Sequence, residues 1–146
     1  MTVYLDSSAL IKLYVPERES RAVADYVKRL PDPIPFSQLH EIELTNGLRL
    51  KLFRKEASLR SVRGAIGCMK MDLDSGVLSR PVLNWPDVFC KADELSAAFS
   101  ATIGCRSLDL LHVASALLLQ ATDFLTYDGR QLNVASKAGL RLVRTR

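Results

Sequence analysis

Residues Val3 to Tyr14 read "VYLDSSALIKLY". A β-branched and aromatic run stops at an acid, Asp6, passes through two serines and then takes up helical spacing. Two readings fit. Asp and Ser are common helix N-caps, because their oxygens accept the orphan N–H groups of a first turn. Alternatively, the strand delivers a carboxylate to its end for chemistry. Within this stretch capping is the simpler reading, so the rest of the chain has to decide.

Outward from this stretch, strands and helices alternate. Thr2 to Leu5 reads as a strand and Ala9 to Tyr14 as a short helix ended by Pro16. Arg21 to Leu30 follows as a helix closed by Pro31. Ile34 to Phe36 is a short strand, and Ser37 is placed to cap a helix from Gln38 to about Arg54. The next helix, from about Glu56 to Asp74, stops at Gly76, where a left-handed residue would end it. Val77 to Leu83 looks extended. Pro86 suits a first helical turn, and Val88, Phe89, Ala92, Leu95 and Phe99 form a stripe ending near Gly104. Ser107 to about Ala121 is helical, Phe124 to Tyr127 a strand, Arg130 to Ala138 a helix closed by Gly139, and Leu140 to Val143 a last strand. Strands separated by helices imply a parallel α/β sheet covered on both faces. Functional crevices in such sheets lie beyond the carboxyl ends of the strands, and Asp6 stands at one such end.

The chain's 146 residues suit one domain, 1–146, with enough core to need no disulfide or structural metal. A hydrophobic content of 48% with 25% charged residues describes a folded chain rather than a disordered one. "VASALLLQA" is too short to span a membrane and no basic segment leads into an apolar stretch at the N-terminus, so a cytoplasmic protein without membrane attachment is expected. Cys68, Cys90 and Cys105 lie outside any C-x-x-C pattern and are read as packing residues. Net charge is +4, unevenly spread: seven bases between Arg49 and Lys70 face Glu56 alone, which is compatible with a polyanionic partner.

The remaining acids repeat the opening pattern. "FLTYD" at 124–128 is an apolar strand that carries Thr126 and Asp128 on one side. On the helix after Ser37, counting 100° per residue from Leu39 groups Ile42, Glu43, Asn46, Leu50 and Phe53 on the inward face and sends Glu41 to the opposite side. Leu44, Leu48 and Leu52 form a second apolar line, read as internal packing or as a face for another helix, subunit or inhibitory partner. The same count groups Asp109 with His112, Val113 and Ala116, with His112 taken as a packing or supporting residue. Any one buried acid could be a cap or an ion-pair partner. Four converging acids, Asp6, Glu43, Asp109 and Asp128, would repel by roughly 4 kcal/mol per pair at about 4 Å and an effective dielectric near 20. A hard divalent cation removes that repulsion, and oxygen ligands without His or Cys spacing suit Mg²⁺ or Mn²⁺, ions that also engage phosphate.

These residues resemble the PIN-domain nucleases, and specifically the VapC-like toxins of type II toxin–antitoxin systems. The resemblance rests on "YLDSSALIKLY", "EIELTNGL", "SLDLLHVASALLL" and "DFLTYD" and covers nearly the whole chain. It implies a three-layer α/β/α fold with a central parallel sheet of about four to five strands. It also implies a metal-dependent endoribonuclease that hydrolyses RNA phosphodiester bonds with Mg²⁺ or Mn²⁺ and inhibits translation. The family's acidic quartet falls on Asp6, Glu43, Asp109 and Asp128, and its small hydroxyl residues on Ser7 and Thr126, with Asn46 supporting. Asp6, Asp109 and Asp128 are expected to hold the metal, and Glu43 to act directly or through water. The implied partners are RNA, a cognate antitoxin and a second copy in a homodimer. An aspartyl-phosphate phosphatase would need an acid at Ser8, and a receiver would need neighbouring acids at the first strand. The other reading is a catalytically silent PIN-fold RNA-binding or interaction scaffold, which predicts a missing acid.

Overall fold

A computed structural model describes residues 2–145. Strand β1 (Val3–Leu5) pairs in parallel with β4 (Asp123–Leu125), which pairs in parallel with β5 (Arg141–Leu142), in the order β1-β4-β5. Strands β2 (Ile34–Pro35) and β3 (Leu78–Ser79) form a second parallel pair, with β2 running beside β1. In place of a backbone ladder between β1 and β2, the His40 Nε2–H donates to the Leu5 carbonyl oxygen at 2.8 Å. The tautomer is fixed, because Nδ1 of the same ring accepts the Ser37 N–H at 3.0 Å.

Alternation along the strands sorts the helices into two layers. Val3, Leu5 and Leu125 face one way, into a core built with α1 (Ser7–Leu10), α2 (Ser20–Val27), α3 (Gln38–Phe53) and α4 (Leu59–Ser75). Tyr4 and Phe124 face the other way, toward α5 (Trp85–Ile103), α6 (Ser107–Leu118) and α7 (Gly129–Lys137). Tyr4 and Phe124 are register partners and their rings stack with centroids 5.5 Å apart, a contact worth about 0.5–1.5 kcal/mol beyond its burial. The fold is therefore α/β with all strands parallel, as the alternating sequence implied. None of the described helices is long and apolar enough to cross a membrane.

Helix ends follow their local chemistry. Gly76 and Gly104 close α4 and α5 at φ 82° and 72°, a left-handed conformation that costs glycine nothing sterically. The extended segment expected over 77–83 pairs only at Leu78 and Ser79, since Pro81 has no N–H to continue a ladder.

Two expectations are corrected. The core line of α3 is His40, Leu44 and Leu48, with Leu52 packed against it, while Ile42, Asn46, Leu50 and Phe53 are exposed. The second apolar line is thus the internal one. The phase was hidden because its first member is a polar residue buried by two specific hydrogen bonds. Cys68 and Cys90 are exposed rather than packed and Cys105 is half-buried; all three thiols are free.

Burial holds the His40 imidazole well below its usual 6.5, as does the nearby His112, against the bond to Leu5. Between the two pKa values the unfolded chain binds a proton that the folded protein does not, so stability falls as pH drops below 6.5. Denaturant unfolding of wild type should lose up to about 1.4 kcal/mol per pH unit in that range from this group. His40→Gln, less stable at pH 7.5, should have a flatter acid limb. Parallel limbs in the two proteins would remove His40 as the cause.

Candidate functional site: an acidic cleft at the strand ends

Where β1 and β4 end, their paired register runs one step further through side chains. Tyr4 faces Phe124, and two residues on, Asp6 Oδ2 accepts the Thr126 hydroxyl at 2.6 Å. Asp6 is fully buried. Its Oδ1 accepts Ser8 Oγ–H at 2.7 Å and the Ala9 N–H at 3.0 Å, so it also caps α1. Burial pushes the Asp6 carboxyl above its usual range, while the bonds from Thr126, Ser8 and Ala9 and the nearby His112 pull it down. Asp6 is thus both a helix cap and the floor of a polar site.

The network continues from Asp6 to Asp128. Thr126 Oγ1 accepts the Asp128 N–H at 3.0 Å, and Ser8 Oγ accepts the Tyr127 N–H at 3.0 Å. Asp128 Oδ1 then caps α7, accepting from Arg130 N and Gln131 N at 2.8 and 3.2 Å. That leaves Oδ2 to accept Arg106 Nη2–H at 2.9 Å.

Glu43 lies on the flank of α3 rather than on its core line. Its Oε1 accepts the Ser7 hydroxyl at 3.1 Å and the Nε2–H of His112. His112 is completely buried on α6, and its Nδ1 accepts the Tyr4 phenol at 2.8 Å. Tyr4, His112 and Glu43 therefore form a hydrogen-bonded line from the sheet to the cleft. Burial keeps the phenol protonated by raising its pKa far above 10, so it serves as donor. Glu41, two residues from Glu43, is tied instead to Arg80. Asn46 is exposed on the outer surface and does not reach the cleft.

Asp109, in the first turn of α6, is buried; its Oδ1 accepts Gln131 Nε2–H at 3.1 Å and its two oxygens take the Arg106 guanidinium. A cleft of about 260 Å³ is lined by Ser7, Ser8, Glu43, Arg106, Asp109, Asp128 and Gln131, together with Ser107 and Leu108. The structure thus gathers Glu43, Asp109, Asp128 and Ser7 on the cleft wall, with Asp6 and Thr126 beneath. Arg106 and Gln131 escaped the sequence reading. Arg106 lies one turn before Asp109 in "RSLD", which could have pointed to it; Gln131 offered no local signal.

The wall suits a hard cation in kind. It offers carboxylates, hydroxyls and an amide oxygen, and Gln131 Oε1 is buried without a hydrogen-bond partner beside Asp109. Among the described residues, however, no three acidic, His or Cys side chains are gathered into an ion site with their present hydrogen bonds. Hydroxyls, a histidine and Arg106 take up their oxygens.

In fold, VapC20 from Mycobacterium tuberculosis, described as a sarcin–ricin loop cleaving toxin, is similar at 17% identity and TM-score 0.69, covering 98% of this chain and 99% of that one. VapBC2 from Rickettsia felis, solved bound to a DNA fragment from its promoter, gives 17%, 0.67 and 100% of both chains. FitAcB from Neisseria gonorrhoeae gives 14%, 0.66, and 98% and 97%. No curated protein matches by sequence. The model of the PIN domain matches residues 3–137. The chain belongs to the PIN-domain family.

Proposed function

We propose that this single-domain protein is a metal-dependent endoribonuclease, the VapC-like toxin of a toxin–antitoxin pair, and that it inhibits translation by hydrolysing RNA phosphodiester bonds. The observation that carries the reading is the cleft at the strand ends, where Glu43, Asp109 and Asp128 line one wall above buried Asp6. None of the four acids that the family resemblance requires is missing or turned to the far surface, which disfavours a silent scaffold.

Asp109 and Asp128, with Asp6 beneath them, would hold Mg²⁺ or Mn²⁺. Bound there, the cation would lower the pKa of water and neutralise charge developing on the phosphate. Glu43 orients the attacking water, and its own carboxylate is aimed by Ser7 and by the Tyr4–His112 line. Ser8 and Thr126 keep Asp6 and Asp128 in place, and Gln131 does the same for Asp109. The exposed bases Arg49 on α3, Arg54 just past its end, and Arg60 and Arg63 at the start of α4 provide a non-specific attraction for RNA.

Ile42, Leu50 and Phe53 stand exposed on α3, and Phe53 is 82% accessible. An apolar line of this kind supports binding by an antitoxin or a second copy of the chain. A toxin–antitoxin complex from Klebsiella pneumoniae is structurally similar to this chain, as is VapBC-1 from nontypeable Haemophilus influenzae.

Purified protein with Mg²⁺ or Mn²⁺ is expected to cut RNA and to stop in excess EDTA; undiminished cutting there would sink the metal mechanism. Glu43→Gln should abolish most cleavage and Glu41→Gln should leave it nearly intact, with unchanged circular dichroism in both. Comparable rates for the two would remove Glu43 from the site. An ion bound only by the folded state adds about 2.7 kcal/mol at a hundred times Kd. Mn²⁺ should therefore raise the thermal midpoint of wild type and raise that of Asp109→Asn much less. Equal shifts would place the ion elsewhere.

A further inference from the structure

Among the residues lining the cleft, Arg106 is the one cation, set against Glu43, Asp109 and Asp128. Its guanidinium forms a fork. Nε donates to Asp109 Oδ2 at 3.1 Å, and Nη2 donates to Asp109 Oδ1 at 3.3 Å and to Asp128 Oδ2 at 2.9 Å. One planar group therefore spans the two aspartates that come from different elements, α6 and the start of α7. These are the oxygens a divalent ion would need at about 2.0–2.1 Å. An ion and the guanidinium cannot both saturate them, and their positive charges repel.

The side chain is also free to leave. Its relative exposure is 60%, against 3% for the Asp109 side chain it holds. The backbone of Arg106 stays anchored by its N–H to Asp109 Oδ2 at 3.3 Å, so departure of the fork leaves its Cα at the mouth of the cleft. A guanidinium released there matches a phosphate in charge and in its bidentate hydrogen-bond geometry.

From this we infer that Arg106 is an exchangeable counter-ion: it neutralises Asp109 and Asp128 until a divalent cation takes their oxygens, and is then handed to a phosphate of the RNA. The inference rests on the metal-dependent nuclease reading. It adds a substrate-binding residue to that reading and couples metal binding to RNA binding. Because the same arginine opposes the ion and holds the RNA, its removal should move the two affinities in opposite directions. A merely structural residue would not do this.

The test is Mn²⁺ titration calorimetry on wild type, Arg106→Gln and Arg106→Lys without RNA. Anisotropy of a fluorescein-labelled single-stranded RNA of mixed sequence, with and without Mn²⁺, completes it. Arg106→Gln should bind Mn²⁺ roughly two- to fivefold more tightly, the scale of a partly exposed charge pair. The gain in RNA affinity on adding Mn²⁺ should shrink roughly tenfold, the scale of a charge-assisted hydrogen bond. Arg106→Lys, which keeps the charge and loses the fork, should bind Mn²⁺ nearly as wild type while losing part of the RNA gain. An unchanged Mn²⁺ affinity in Arg106→Gln overturns the exchange, as does an unchanged RNA gain. If wild type binds no Mn²⁺, the nuclease reading falls and the inference falls with it, an outcome distinct from equal binding by all three proteins.

Discussion

The hydrogen bond between Asp6 and Thr126 is the constraint on which the site depends. A carboxylate buried completely, at the seam of two parallel strands, is tolerated only if its oxygens are saturated. The chain saturates them with Thr126, Ser8 and the Ala9 N–H in the first turn of α1. Each of those partners is itself committed: Ser8 to the Tyr127 N–H, Thr126 to the Asp128 N–H. Satisfying one buried charge therefore sets where α1 begins, how the chain leaves β4, and where Asp128 stands. Removing one member of such a buried network exposes the others to an uncompensated polar group, which costs about 1–3 kcal/mol.

A second polar line crosses the helical layers. Tyr4, His112 and His40 lie ring against ring, with centroids 4.9 to 5.9 Å apart, inside an otherwise apolar interior. Their polar atoms are matched in direction: phenol to Nδ1 of His112, Nε2–H of His112 to Glu43, and Nε2–H of His40 to the edge carbonyl of β1. Packing alone would let α3 and α6 slide along the sheet by part of a residue; directional bonds at both do not. The result is that Glu43, on a helix, is held against Ser7, at the end of a strand.

The cleft above these networks holds more negative than positive charge. Asp109 stays buried because Gln131, from the next helix, and Arg106, from the preceding loop, both bond to it. Its electrostatic balance is therefore made by residues on two other segments, α7 and the loop before α6. The family resemblance pointed to the acids. It did not point to the cation among them or to the unpartnered amide oxygen of Gln131.

Elements and their order were legible in the sequence because periodicity, caps and prolines act locally. Ser37 and Asp6 cap where expected, Gly76 and Gly104 close their helices, and strands alternate with helices in a parallel sheet. The inward turn of Asp109 with His112 was likewise written in its helical spacing. The phase of α3 was not, since a histidine heads its buried line and one of the partners that satisfy it, the carbonyl of Leu5, is thirty-five residues away. Nor could local pattern place Asn46 outside, bring Gln131 to Asp109, or close Arg106 across Asp109 and Asp128. The sequence by itself determined which carboxylates lie at strand ends and helix starts. Tertiary structure alone decided which hydroxyl, amide or guanidinium answers each of them, because a buried charge takes its partners from whatever the fold brings within about 3 Å.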